Sequence, residues 1–480
     1  MMVVGMIRVM TEVYGRVTDR RGAIMLLILV FGVTIMDGVD SSMVTITTPR
    51  MASDLGAGVV ESSWILNAYN IGLAALLLAF TKVSDSGRIR SVFVTGLVVF
   101  GASSVMCAMS QSLPMLVVFR FVQGMGAAML GSIAPVVIVR MLPEGMRARG
   151  FSIASIAVGL SIMVGPLLGG VIVSVASWHW MFLVNIPVCI LLFLLGRGRM
   201  VRVGDPGALP DGRSVMGVAC SVASILAFLE MAVAGSDTVV SVILAVVAVI
   251  SVTSTVIVMR KHHGKTVIDP DLLRNREFLL LVSTYVLSTM VALGMEYLLP
   301  YYVQISCGMT EVENAILVAV ISIVMVITAF PTGKWCDKSG CRTPAAISLV
   351  LRMLFSVVFI FILPEWGYVL LVVTLMTVGL SYGLSGTSQT TRVVHHCTPE
   401  QQSEASAFMS LMYYMGTSLG VMAYAFMFSL SGGGVVSSSL SPEIVLNGFH
   451  LASVLGVILS LIALVFTLIV PNRTSLGIKE

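Results

Sequence analysis

Apolar residues along this chain run in blocks of about twenty, each closed by a short break that is charged or rich in glycine and proline. That length matches a helix crossing the roughly 30 Å hydrocarbon core of a bilayer at a rise of about 1.5 Å per residue. Marking the blocks predicts fourteen spans: 23–47, 62–80, 92–109, 113–139, 151–175, 180–195, 214–234, 239–259, 278–303, 315–330, 344–363, 368–389, 405–430 and 449–470. The first block is long, contains Asp37 and Asp40, and precedes many more, so it reads as a span and not as a cleaved signal peptide. Fourteen spans take about 280 residues and leave about 200 for loops, which is too few for a sizeable extramembrane domain.

Composition points the same way. The chain is 57% hydrophobic and only 11% charged, against about 25% charged in soluble proteins, and its mean hydropathy is +1.00. The expected fold class is an all-α integral membrane protein. The seven cysteines lie mostly within apolar runs (Cys107, Cys189, Cys220) or beside basic loops (Cys336, Cys341, Cys397), and they support neither a disulfide framework nor a metal site. The net charge of +4 is small, but its placement is informative. Of the 28 lysines and arginines, all but Arg50, Arg120 and Arg352 fall in alternate loops, whereas Asp54, Glu61, Asp237, Glu311, Glu313, Glu365 and Glu443 fall in the others. Positive loops stay cytoplasmic, so both termini are expected in the cytoplasm of a multi-pass plasma-membrane protein.

The two longest basic linkers, 197–213 and 260–276, bracket spans seven and eight. They divide the chain into an N-terminal six-helix bundle (1–198), a linker with helices seven and eight (199–270) and a C-terminal six-helix bundle (271–480). The bundles repeat a local pattern: Thr81-Lys82-Val83-Ser84-Asp85-Ser86-Gly87-Arg88 follows span two, and Gly333-Lys334-Trp335-Cys336-Asp337-Lys338-Ser339-Gly340-Cys341-Arg342 follows span ten. Two pseudo-symmetric bundles plus an inserted pair suit a secondary transporter with its site at the interface.

At these residues the chain resembles the major facilitator superfamily, in particular its fourteen-span drug:proton antiporters. The second loop matches the family's GxxxDxxGxR; the first departs from it at Thr81 and in the spacing of Gly87. Arg120-Phe121-Val122-Gln123-Gly124-Met125-Gly126-Ala127-Ala128 is similar to RxxQGxxAA. Gly165-Pro166-Leu167-Leu168-Gly169-Gly170 is similar to the GPxxGG antiporter motif, with Ser161 where a glycine is usual. Trp178 to Pro187 is similar to WRWxFxxNxP with His179 for arginine, and Asp40 to Pro49 resembles the D-x-T-x-V-x-x-A-L-P stretch. The resemblance implies gating by Asp85, Arg88, Asp337 and Arg342 in the loops and by Gly165, Pro166, Gly169 and Gly170 in span five. It also implies a place for Gln123 among the substrate-binding residues.

The ionisable residues within spans carry their own argument, because charge is costly in lipid and usually functional there. Asp37 and Asp40 share one helical face, roughly 22 to 27 Å from the start of span one. Two carboxylates so close compete for charge, and one of them can hold a proton, as a proton-coupled site requires. Arg120 enters span four to a similar depth and needs a carboxylate partner, either as part of that site or as a static ion pair. Glu296 stands at comparable depth in span nine, the pseudo-repeat mate of span one, and is a second candidate for protons or cations. Glu230, in the inserted pair, is expected to be peripheral, and Arg352 is expected to snorkel to the headgroups. Tyr413 and Tyr414, beside Met412 and Met415, form a candidate adaptable substrate surface, although most of the 32 methionines read as lipid-facing filler.

Enzyme motifs fail on inspection. Gly264-Lys265-Thr266 lacks the leading glycine of a phosphate loop, Gly416-Thr417-Ser418-Leu419-Gly420 lies in an apolar helix, and there is no HExxH. No cofactor, metal or nucleic acid is implied. The expectation is a monomeric, proton-coupled exporter of lipophilic cationic drugs, whose partners are the small-molecule substrate, protons and the bilayer. An exporter of an endogenous metabolite is the alternative within transport, and a non-transporting sensor or scaffold is the alternative outside it.

Overall fold

The computed structural model describes residues 20–142, 144–198, 212–233, 238–261, 272–397, 402–433 and 440–471. Both chain ends and much of the two basic linkers, with Arg202, Lys265 and Asp237, lie outside the described residues. Among the described residues there is no strand. The long helices are α1 (Arg20–Asp54), α2 (Val59–Val83), α3 (Ile89–Ala108), α4 (Leu113–Gly131), α5 (Glu144–Val175), α6 (Asn185–Gly196), α7 (Gly212–Val233), α8 (Thr238–Lys261), α9 (Arg276–Tyr301), α10 (Glu311–Ser339), α11 (Arg342–Phe361), α12 (Gly367–His395), α13 (Gln402–Phe428) and α14 (Pro442–Ile469).

Thirteen helical runs among the described residues are long and apolar enough to cross a membrane, and one of these, Val59–Ala108, is 50 residues long and contains both α2 and α3. As a single rod it would measure about 75 Å, more than twice the hydrocarbon core. Gly87 turns the chain between the two helices at φ 92°, a left-handed conformation open to glycine because it has no Cβ.

Helix ends carry the local signals that their sequences imply. Thr310 caps α10 in a reciprocal box: its Oγ1 accepts from Glu313 N (3.3 Å), and Glu313 Oε2 accepts from Thr310 N (2.8 Å). Those bonds hold the exposed Glu313 carboxyl below its usual range. Asn275 caps α9, and Ser441 followed by Pro442 opens α14. The last carbonyls of α14 are taken by arginines: Arg342 donates to Leu468 O (2.6 Å), and Arg392 donates to Thr467 O (2.9 Å) and Val470 O (2.5 Å).

Helix partnerships recur with a fixed offset. α1 packs on α5, α2 on α4, α3 on α4, and α6 on α1 and α3; correspondingly, α9 packs on α13, α10 on α12, α11 on α12, and α14 on α9 and α11. Two seams join the sets, α5 with α10 and α2 with α13, while α7 and α8 pair with each other and α7 lies against α2 and α13. The outward faces are apolar, as at Val239, Val242, Ile243, Val249 and Ile250 of α8, which suits contact with lipid.

The α2–α4 crossing is set by two small residues facing each other. A Cβ on Gly72 would meet the Phe121 carbonyl, and one on Gly124 would meet the Tyr69 carbonyl. Backbone cannot give way as a side-chain tip can, so this pair fixes how closely the helices approach. Gly124→Val should therefore destabilise the protein by about 1–3 kcal/mol, the usual cost of overpacking. A lower melting temperature in detergent is expected, and wild-type melting would show that the crossing tolerates separation.

Candidate functional site

Charged loops mark one end of the bundle as basic, with Lys82, Arg88, Arg140, Lys334 and Arg342. The other end is acidic, with Asp54, Glu61, Glu311, Glu313 and Glu443. Between them, Arg120 and Asp40 form a salt bridge of 2.7 Å, both almost wholly buried. Gln123 Nε2 and Asn185 Nδ2 donate to the other carboxylate oxygen at 3.1 and 2.5 Å, and Gln123 Nε2 also donates to Ser104 Oγ at 2.9 Å. Arg120 further donates to Gln123 Oε1 (2.8 Å) and, through Nε, to Ile65 O (3.1 Å). The network joins α1, α3, α4 and α6 and takes a backbone acceptor from α2. Asp40, expected in the proton-coupled site, and Gln123, expected among the substrate-binding residues, are thus enclosed and tied to neighbours in this conformation.

Asp37 points elsewhere. It is half-buried, and Tyr69 on α2 donates its hydroxyl to Asp37 Oδ1. The Tyr69 ring lies 4.3 Å from the Arg120 guanidinium carbon, so one tyrosine links the closed ion pair to the accessible acid. Tyr413 and Tyr414, half-buried on α13 with their rings 5.3 Å apart, lie within electrostatic range of Asp37. Tyr413 lies within range of Glu296 as well. Glu296 is half-buried, with no hydrogen bond or ion pair to any described residue. Two half-buried acids, one from each six-helix set, are therefore in range of the same tyrosine, Tyr413, with Met412 and Met415 also half-buried on α13.

Two placements correct the sequence reading. Arg352 does not snorkel. It is buried, and it donates to the Ser288 carbonyl and Oγ, to Ser381 Oγ (3.3 Å) and to Ser385 Oγ (3.1 Å), with its guanidinium 5.1 Å from the Tyr382 ring. Serines on α9 and α12 make the interior polar enough to hold it. Glu230 is not peripheral: it is 1% exposed and bonded to Ser63 and Asn67 of α2. No sequence signal marked Tyr69 or Tyr382, which read as ordinary apolar positions, and Asn185 stood in a noted motif without a partner.

Among the expected gating residues, Asp85 accepts a two-pronged bridge from Arg140 at 2.8 and 2.9 Å, and these hydrogen bonds raise the Arg140 pKa. Arg88 is exposed beside it. The Asp337 side chain lies outside the described residues, and Arg342 caps α14 as noted above. α5 is helical through Pro166. Cβ atoms on Gly165 and Gly169 would meet α1 at Ser42 and Met43, and one on Gly170 would meet α10 at Ala315 and Glu311. Ser161, standing where the motif has glycine, lies against Gly38, so the small residue at this contact is on α1.

Polar bonds between the six-helix sets sit toward the acidic end. Ser62 Oγ lies 3.0 and 2.7 Å from the Tyr297 and Tyr301 hydroxyls, Tyr297 donates to Val59 O, Gln304 donates to Ile46 O (3.2 Å), and Ser322 donates to Ile162 O (3.0 Å). One apolar cluster containing Ile46, Val59, Ile65, Leu298, Val318 and Ile321 spans both sets there.

The family profile of the Major Facilitator Superfamily matches residues 30–421. The chain belongs to this superfamily. YebQ, an uncharacterized transporter of Escherichia coli (strain K12), is 28% identical over 450 residues, covering 93% of this chain and 94% of YebQ. The multidrug efflux pump SdrM of Staphylococcus aureus (strain N315) is 24% identical, covering 86% and 92%. The riboflavin transporter RibZ of Clostridioides difficile (strain 630) is 24% identical, covering 85% and 88%. A bacterial homolog of the human lysosomal transporter Spinster shares the fold at a TM-score of 0.70 and 15% identity, over 94% of this chain and 97% of that one. As a superfamily member the chain is a multi-pass membrane transporter of small molecules, not an enzyme.

The buried pair makes one requirement of any such transporter. Arg120→Ala leaves Asp40 charged and enclosed, so it should cost about 3–5 kcal/mol of stability. Replacing both partners, with Asp40→Asn and Arg120→Gln together, should recover part of that loss. Melting of the two variants in detergent checks this; equal melting of Arg120→Ala and wild type would deny the pair a structural role.

Proposed function

We propose that the chain is a proton-coupled antiporter of the fourteen-span drug-efflux kind, exporting lipophilic cations by alternating access. On this reading 1–198 and 271–480 are the two moving bundles, 199–270 carries the inserted pair, and α2 and α3 are separate crossings. The basic end faces the cytoplasm by the positive-inside rule, which puts both termini there, in the plasma membrane. The protein works as a monomer, since each copy contains both halves of the site.

The observation that carries the reading is that Asp37 and Glu296, half-buried acids from the two sets, both lie within electrostatic range of Tyr413, with no cation beside Glu296 among the described residues. A carboxylate in a low-dielectric crevice attracts an organic cation while ionised and loses that attraction once protonated. Proton and substrate therefore exclude each other, which is the minimum an antiporter needs. Tyrosine faces add cation–π attraction, and the neighbouring methionines adapt to varied apolar shapes. The polar bonds and the apolar cluster that join the two sets toward the acidic end support a conformation closed on that side. Moving between states requires the tight contacts of Gly165, Gly169 and Gly170 with α1 and α10 to slide, and the Asp85–Arg140 bridge beside Arg88 to hold the loops of the first set, as Asp337 and Arg342 would in the second. The multidrug relatives favour a drug as substrate. RibZ keeps open a metabolite exporter, in which the tyrosines would stack on a neutral ring.

Reconstituted vesicles with an imposed pH gradient distinguish these. Asp37→Asn should abolish substrate-driven proton flux in a correctly folded protein, and wild-type flux would remove Asp37 as the carrier.

Glu296→Gln should weaken transport of organic cations by roughly tenfold, the effect of losing about 1.4 kcal/mol of attraction, while sparing neutral compounds of similar size. As pH rises a larger fraction of the wild-type acid is ionised, so the cation defect should be greatest at high pH and smallest at low pH. Equal loss for charged and neutral substrates would point to packing at Glu296 and would favour the metabolite reading.

A further inference from the structure

The inserted helix α7 brings a buried acid to the face of α2, where the transport scheme above gives it no part. Glu230 makes two side-chain contacts, with Ser63 Oγ at one oxygen and with Asn67 Nδ2 at the other (2.7 Å). Ser63 Oγ also lies 2.6 Å from the Val60 carbonyl, which can only accept. A hydroxyl has one proton to give. When that proton goes to Val60, the contact between Ser63 and Glu230 is completed by a proton on the carboxyl, with Ser63 as acceptor.

The surroundings favour the same state. α7 packs against α2, α8 and α13, and α9 reaches α2 through the Tyr297 and Tyr301 hydroxyls at Ser62. α2 offers Ser63 and Asn67, and α8 offers hydroxyls that bond farther along α7, Ser251 with Ser224 and Thr255 with Ser221, both at 3.2 Å. α13 shares an apolar cluster with α7 through Phe408 and Met409, and the titratable group of α9 in electrostatic range is Tyr297. No cation among the described residues faces Glu230. An ionised carboxylate buried with two neutral partners is strongly disfavoured, whereas the neutral acid is satisfied as donor and acceptor.

We propose that Glu230 is a proton-binding site of the inserted helix pair: it stands here as a neutral carboxylic acid donating to Ser63 Oγ, and its proton leaves only to water admitted when α7 and α2 part. The protonation stands on the geometry alone; its exchange during transport rests on the antiport reading. Tyr297, in range of Glu230, also closes the acidic end through Ser62 and Val59, so water reaching Glu230 and opening of that end involve the same helix, α2.

Infrared spectra of the purified full-length protein in lipid test the site directly. The carbonyl stretch of a hydrogen-bonded carboxylic acid should persist at mildly alkaline pH, disappear in Glu230→Gln and move to higher frequency in Ser63→Ala, where the acceptor is gone. A wild-type spectrum unchanged by Glu230→Gln overturns the proposal. Should that variant fail to assemble, the unshifted band in Ser63→Ala overturns it alone. For exchange, Glu230→Gln should slow substrate-driven proton flux in vesicles at least tenfold, and wild-type flux would show that the proton never leaves. Loss of proton coupling in the unaltered protein would instead sink the antiport reading while leaving the band, and the neutral acid, in place.

Discussion

Lipid supplies no counter-charge, so a guanidinium that enters a span must be neutralised or hydrogen-bonded by the protein itself. Arg120 meets that demand by drawing Asp40 of α1, Gln123 of its own helix and a carbonyl of α2 onto one centre, and Asp40 in turn holds Asn185 of α6. These contacts set where the helices of the N-terminal set must stand. The pair also fixes Tyr69, whose ring lies on the guanidinium and whose hydroxyl reaches Asp37. The enclosed charge thus positions the other acid: Asp40 is buried among its partners, and Asp37, one turn earlier, is left half-buried with Tyr69 as its partner.

The second set solves the same problem differently. Among the described residues Arg352 has no carboxylate in its contacts and rests on serines of α9 and α12, while Glu296 on α9 has no hydrogen-bond or ion-pair partner. Tyr382 lies between them in effect, its ring toward Arg352 and its hydroxyl donating 2.8 Å to Ala292 O, one turn before Glu296. Charge is therefore paired in one half and separated in the other. Because the helix partnerships repeat and the electrostatics do not, the shared framework can govern how the halves move while the differing side chains govern what they hold.

Much of this was legible in the chain, because bilayer thickness and the sidedness of charge act along one dimension. Span lengths and the alternation of basic and acidic loops needed no tertiary information, and the cost of an isolated Arg120 called for an acid nearby. The division of labour between Asp37 and Asp40 was not legible: they share a helical face, and only the approach of α4 and α6 decides which is enclosed. Arg352 sat at a depth from which its stem could reach the headgroups, and the serines that hold it inside come from helices 29 to 64 residues away in sequence. Glu230 looked peripheral because it belongs to the inserted pair, a statement about order along the chain that says nothing of which face α7 meets.

That face has a consequence for symmetry. The two six-helix sets meet along two seams, α5 with α10 and α2 with α13, which the repeat would make equivalent. α7 lies against both members of the second seam, and α8 lies beyond it with its valines and isoleucines outward. One seam is therefore covered by protein and the other is not. Movement along the covered seam must shift α2 or α13 past α7, and the polar contact between α7 and α2, at Ser63 and Asn67, lies within about two and a half turns of the acidic end of α2. On the proposed alternating-access scheme, a rocking motion that cost the same at both seams in a bare pair of bundles would cost more at the seam that α7 covers. The inserted pair thus packs on the same helix that carries Tyr69, the partner of Asp37.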